Sequence, residues 1–105
     1  FDDLIYMDTS GNWNRVVNSS SNSTKMLGIA MGSNPSNDGV LLRGFVNSTS
    51  YSFTLGAPLY ISNSSGTMTT SVGLVGSGDY ARIVGYCTST NVIYFNPDNT
   101  WVRKA

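Results

Sequence analysis

Apolar and polar positions alternate with a period of two through short runs of the chain, and the runs are separated by clusters of Ser, Asn, Gly and Asp. Successive side chains on a β-strand point to opposite faces, so this pattern predicts short, half-buried strands. The densest run is Tyr80 to Thr88, followed across a Ser-Thr-Asn turn by Asn91 to Phe95. The tighter turn Asn96-Pro97-Asp98-Asn99 then leads into a short last strand, because Pro97 has no N–H to give a ladder and suits a turn. In the first of these strands Ala81, Ile83, Gly85 and Cys87 alternate with Tyr80, Arg82, Val84 and Tyr86. Arg82 is therefore expected on the more exposed face, with the small and aliphatic set inward.

Upstream, Leu4 to Met7 and Trp13 to Val17 read as a hairpin around the turn Thr9 to Asn12, and a polar run from Asn18 to Thr24 precedes a strand from Lys25 to Met31. Gly32 to Gly39 is a loop dense in turn formers, punctuated by Pro35 and the Asp38-Gly39 pair. Val40 to Val46 reads as one strand, and the alternating aromatics of Tyr51 to Thr54 predict another. From Ala57 the opening pattern returns: a short strand ending in Tyr, a Ser-Gly turn, a return strand, a polar linker and an aliphatic-Gly strand. Two similar β-units, about 3–31 and 57–88, are expected to share one core around a pseudo-two-fold axis, since a unit of about thirty residues buries too little surface alone.

In that alignment Gly28 and Gly85 occupy equivalent strand interiors, where glycine weakens a strand unless backbone approaches backbone or an aromatic covers it, so both are expected as bends of a small barrel. Val40 to Val46, with Gly44, is expected to bridge the units. Eight to ten short strands suit a single all-β domain over 1–105, a small barrel or sandwich.

Composition strengthens this reading. The chain has six acidic residues, all Asp, with no Glu or Gln and little Ala or Lys, which disfavours helix. Net charge is zero, with Arg15, Lys25, Arg43, Arg82, Arg103 and Lys104 scattered, so neither nucleic acid nor membrane insertion is expected. The one cysteine, Cys87, cannot form an internal disulfide and is expected as a small core residue. No apolar run is long enough to span a bilayer and no signal peptide is read. A start at Phe1 without an initiator Met suggests a module of a longer chain.

Chemistry is sparse. There is no His, hence no Ser-His or Cys-His pair, and most of Asp2, Asp3, Asp8, Asp38, Asp79 and Asp98 sit beside turn formers, where Asp bonds its own backbone. Asn34 to Asp38 and Asn96 to Asn99 offer oxygen ligands without the spacing of a calcium loop, so no metal or other cofactor is expected. Four Asn-x-Ser/Thr sequons begin at Asn18, Asn22, Asn47 and Asn63 and fit the composition of the chain. Trp13, Trp101, Tyr51, Tyr60, Tyr86 and Tyr94 offer rings either for stacking on sugars or for core and subunit packing, the second being the simpler reading.

The succession LGIAMG (Leu27 to Gly32), LLRGF (Leu41 to Phe45), GAPLYIS (Gly56 to Ser62), RIVGY (Arg82 to Tyr86) and IYFNPDNTWV (Ile93 to Val102) resembles the C-terminal module of virion structural and tail-fibre-like proteins of tailed bacteriophages, especially marine ones. GAPLYIS resembles, more loosely, small phage capsid decoration proteins. The resemblance implies a non-enzymatic component of the virion surface, commonly homotrimeric, contacting other virion proteins and, at the tip of a fibre or appendage, a host surface glycan or protein. On that reading the polar loops carry recognition: Gly32 to Gly39, with Asn34, Ser36, Asn37 and Asp38, and Asn18 to Thr24, with Trp13 as a stacking residue. The alternatives are a capsid decoration or virion-assembly module and a carbohydrate-binding module of a secreted protein.

Overall fold

Frequent interruption of the apolar runs by turn formers keeps the strands short. The computed structural model describes residues 1–71 and 76–105. It contains β1 (Leu4–Met7), β2 (Trp13–Arg15), β3 (Leu27–Ala30), β4 (Val40–Leu41), β5 (Gly44–Asn47), β6 (Pro58–Ile61), β7 (Met68–Thr69), β8 (Tyr80–Ala81), β9 (Ile83–Ser89), β10 (Val92–Phe95) and β11 (Val102–Arg103). A 3-10 turn, Ser21–Thr24, and one helical turn, α1 (Pro35–Asp38), are the helical pieces among the described residues. The fold is all-β, as the alternation predicts. Its sheets are antiparallel and run β2-β1-β3-β4, β5-β10-β9-β6-β7 and β11-β8.

Cross-strand partners share a face, so register decides what is buried. In the first sheet Leu4 pairs with Ile29 and Tyr6 with Leu27, and this face turns inward. Ile5 pairs with both Arg15 and Gly28, and Met7 with Trp13, on the other face. In the second sheet Ile93 pairs with Val46 and Cys87, and Leu59 with Gly85, facing inward; Tyr94 pairs with Phe45 and Tyr86, and Pro58 with Tyr86, facing outward. Leu4, Leu27 and Ile29 meet Val46, Leu59, Ile61, Met68, Ile93 and Phe95 in one buried cluster, so the first two sheets share a core. Cys87 is buried, as expected.

The hairpins are placed alike. β1 lies between β2 and β3, and β6 between β7 and β9. Ile5 faces Gly28 across one pair and Leu59 faces Gly85 across the other. Both glycines stand where a Cβ has no room: at Gly28 it would overlap Val40 Cγ1 and lie 3.5 Å from the Trp13 ring, and at Gly85 it would overlap the Tyr94 carbonyl oxygen. Close approach accounts for Gly28, and Gly85 combines it with the register irregularity of β9. Residues 72–75, in the expected linker of the unit 57–88, lie outside the described residues.

Further expectations need correction. Tyr80 to Thr88 is not one strand: β8 pairs with β11, and β9 lies in the second sheet. Val40 to Val46 is two strands: Gly44, at φ 138°, lets the chain leave the first sheet after Leu41 and enter the second, so the segment does bridge them. Tyr51 to Thr54 is not a strand; Tyr51 is buried and its hydroxyl donates to the Asp2 carbonyl at 3.2 Å. Arg82 is not exposed. Leu59 pairs with Gly85 but Tyr60 pairs with Ile83, so β9 carries one extra residue at Val84, a β-bulge. Val84 and Gly85 are both buried, the alternation before them reverses, and Arg82 is left only 5% exposed.

Candidate functional site

The outward face of the first sheet carries a concave site. Asp3, Ile5, Trp13, Arg15 and Ala30 line a cleft of about 590 Å³, together with Phe1 and with Gly32, Ser33 and Pro35 of the loop that follows β3. Its floor follows from register: Ile5, central in the sheet, is flanked by Arg15 on one side and Gly28 on the other. Trp13 lies against Gly28, where a side chain would stand 3.5 Å from its ring, and is half-buried. Arg15 Nε donates to Asp3 Oδ2 at 2.8 Å, and both side chains are exposed enough to be solvated. Such a solvated pair contributes about 0–1 kcal/mol to stability.

The loop is built by its own side chains. Asn34 Oδ1 caps α1 by accepting the Ser36 N–H at 3.2 Å, and Asp38 Oδ2 accepts the Asn34 N–H at 3.0 Å. The Asp38 carboxylate folds back over Gly32, where a Cβ would overlap it. The sequence-predicted residues therefore divide. Trp13 lines the cleft, while Asn34 and Asp38 shape the loop, and Ser36 and Asn37 are exposed on α1 outside the cleft lining. Asp3, Ile5 and Arg15 were missed, although the period of two places Asp3 and Ile5 on one face of β1.

The second predicted loop, Asn18 to Thr24, is largely structural. Asn18 and Ser23 are buried, with the Asn18 N–H donating to the Ser62 carbonyl and Ser23 Oγ to the Val17 carbonyl. Full burial also means that the folded chain has no room for a glycan on Asn18. The carbonyls of Ser23 and Lys25 accept from Arg82 Nη1 at 2.9 and 2.8 Å, and the Asp98 carbonyl accepts from Nε at 2.7 Å. Burial lowers the pKa of this guanidinium and the neighbouring Asp98 opposes the shift. It stays charged at neutral pH.

Asp8, Asp38, Asp79 and Asp98 accept backbone N–H groups of nearby residues. Asp8 accepts the N–H groups of Ser10 and Asn12 and the amide of Asn14, Asp79 accepts from Gly76 N–H, and Asp98 from Thr100 N–H, as the turn reading anticipates. Asp2 instead accepts from Ser48 Oγ at 2.6 Å. The Asn12 N–H is the largest influence holding the Asp8 carboxyl below its ordinary pKa, with Ser10, Asn14 and Lys25 acting in the same direction and desolvation against it. Among the described residues no group of three His, Cys, Asp or Glu could hold a metal ion, and no helix is long and apolar enough to cross a membrane.

Compared with known proteins, the chain matches no family model, no curated protein and no solved structure.

Proposed function

We propose that the chain is a non-enzymatic recognition module that presents the Trp13 cleft to a surface glycan. The observation that carries this reading is the convergence of an aromatic ring, a solvated Arg15–Asp3 pair and the Gly32–Pro35 backbone around one open cleft on a sheet face. An aromatic wall with a few polar groups is the lining that sugar rings require. The motif resemblance supports placing the module on a phage particle, at the distal part of a tail fibre or appendage and as a homotrimer. The test is a titration of the intact chain with host-surface glycans. Trp13→Ala should weaken binding at least about tenfold, or 1.4 kcal/mol, without changing the β-sheet circular dichroism. Unchanged affinity in a folded variant would sink the reading.

A second reading, a module for virion assembly or capsid decoration, draws on a different surface. Phe45, Tyr94 and Tyr86 are neighbours across β5, β10 and β9 on the outward face of the second sheet, with Phe45 and Tyr94 ring centroids 5.0 Å apart. Phe45 is 68% and Tyr86 45% exposed. Solution mass separates the readings: a persistent trimer supports the fibre, and a monomer that co-purifies with capsids supports decoration.

A further inference from the structure

A second groove, of about 500 Å³, has Arg82 and Arg43 in its wall together with Met26, Leu42, Pro97 and Trp101. Met26 and Leu42 are about half exposed and Trp101 is 39% exposed, so the groove opens to solvent while Arg82 is almost wholly buried beneath it. The Arg82 guanidinium sits 5.3 Å from the centroid of the Trp101 ring. Its three hydrogen-bond acceptors, the carbonyls of Ser23, Lys25 and Asp98, are neutral and engage Nε and Nη1, leaving Nη2 out of those bonds. The Asp98 carboxylate acts on Arg82 through space without an ion-pair contact, and its Oδ1 accepts the Thr100 N–H at 3.0 Å. Among the described residues the ion pair found is Arg15–Asp3, so neither Arg82 nor Arg43 has a carboxylate at ion-pair distance.

We propose that this groove binds the carboxylate of an acidic sugar. Charge complementarity selects the anion: two arginines, Arg43 and Arg82, line one groove in a chain of zero net charge. Nη2 of Arg82 is the donor these bonds leave for a carboxylate, and the side chain is already held by its three carbonyls, so little side-chain entropy is lost on binding. The rest of the lining selects the sugar. Trp101, Met26 and Leu42 offer apolar surface to the C–H face of a pyranose, and Asn96 and Asn99 supply amides for hydroxyl groups. The volume lies within the ordinary range for small-ligand sites. This site is separate from the Trp13 cleft and does not depend on the reading given for it.

The test is an NMR titration of the isotopically labelled intact chain with glucuronic acid and with N-acetylneuraminic acid, using glucose as the neutral control. The proposal expects the Trp101 indole N–H and Arg82 Nε–H signals to move, with at least about tenfold tighter binding of one or both acids than of glucose. Arg43→Gln, an exposed position, should weaken the acids at least about threefold while leaving the weak response to glucose unchanged, and Trp101→Ala should weaken them further. These two variants carry the test because Arg82 also holds the fold. Equal affinity for glucose and both acids, indifference to Arg43→Gln, or shifts centred on Trp13 instead of Trp101 would each overturn it.

Discussion

Arg82→Ala removes a side chain that ties three separate segments together. Its bonds to the carbonyls of Ser23, Lys25 and Asp98 are all between 2.7 and 2.9 Å, and they join the end of the 3-10 turn, the start of the run into β3, and the turn after β10. A hydrogen bond to a charged group contributes about 1.5–3 kcal/mol net, and each buried carbonyl left without a donor costs about 1–3 kcal/mol. Simple addition overstates the loss. Water can reach the two part-buried bonds, at Lys25 and Asp98, once the side chain is gone, and removing a buried charge recovers its desolvation cost. A net loss of about 3–5 kcal/mol follows, the range for disrupting a buried charged contact. Against a total of about 5–15 kcal/mol this is a large fraction of the stability.

At about 4–8 °C per kcal/mol for a domain of this size, the melting temperature should fall by about 12–40 °C. Urea denaturation followed by circular dichroism and Trp fluorescence measures the same quantity. Arg82→Lys should fall between parent and Ala, because an ammonium keeps the charge but not the fork that reaches carbonyls on both sides. Arg43→Ala, at an exposed position, is the control and should stay within about 0.5 kcal/mol. A loss below about 1 kcal/mol for Arg82→Ala, or an equal loss for Arg43→Ala, would refute the clamp.

Gly85→Ala should cost about 1–3 kcal/mol in urea denaturation, because its Cβ would overlap the Tyr94 carbonyl and stand 3.2 Å from Phe95 Cα, both backbone atoms of the paired strand. A neutral result would mean that β9 and β10 separate there at little cost. Burial, and secondarily the charges of Asp2 and Asp3, raise the Tyr51 pKa; the neutral phenol is therefore favoured by the fold, and its stabilisation is present below about pH 10 and lost as pH rises above it. Tyr51→Phe should flatten the stability–pH curve above about pH 10, and an unchanged slope would exclude Tyr51 as its source. Asp8 has the opposite sign: its lowered pKa gives stability that is present above about pH 4 and lost as pH falls through the folded value. Asp8→Asn should be less stable than the parent at pH 7 and converge with it in acid, so an equal gap at pH 7 and pH 2.5 counts against the assignment.

What alternation made legible is the inward face. Leu59 and Ile61 on β6, and Ile93 and Phe95 on β10, are two residues apart and buried, because hydrophobic burial admits only apolar side chains there. Gly28 and Gly85 were legible as exceptional positions but only as bends, because the crowding by Val40 and by the Tyr94 carbonyl depends on which strands pair. Tyr51 misled because a ring can be buried from irregular backbone when its hydroxyl finds a carbonyl, here that of Asp2. Trp13 and the loop after β3 were each visible, but their meeting is a matter of register. β1 must lie between β2 and β3 before Trp13 and Gly32 can border one cleft.

Arg82 shows why the outward features resist a reading from sequence. Its neighbours obey the alternation on both sides of Val84, and one extra residue in β9 reverses the phase between them. Nothing in RIVGY marks that insertion except the adjacent Gly85, whose own requirement comes from the backbone of β10. A solvent-facing arginine thereby becomes a buried cation that holds three segments and borders a groove. The inward face is selected by what water rejects and can be read residue by residue. The grooves depend on how far each strand has slipped past its neighbour, so a single bulge changes both the stability of this fold and the ligand chemistry its surface can offer.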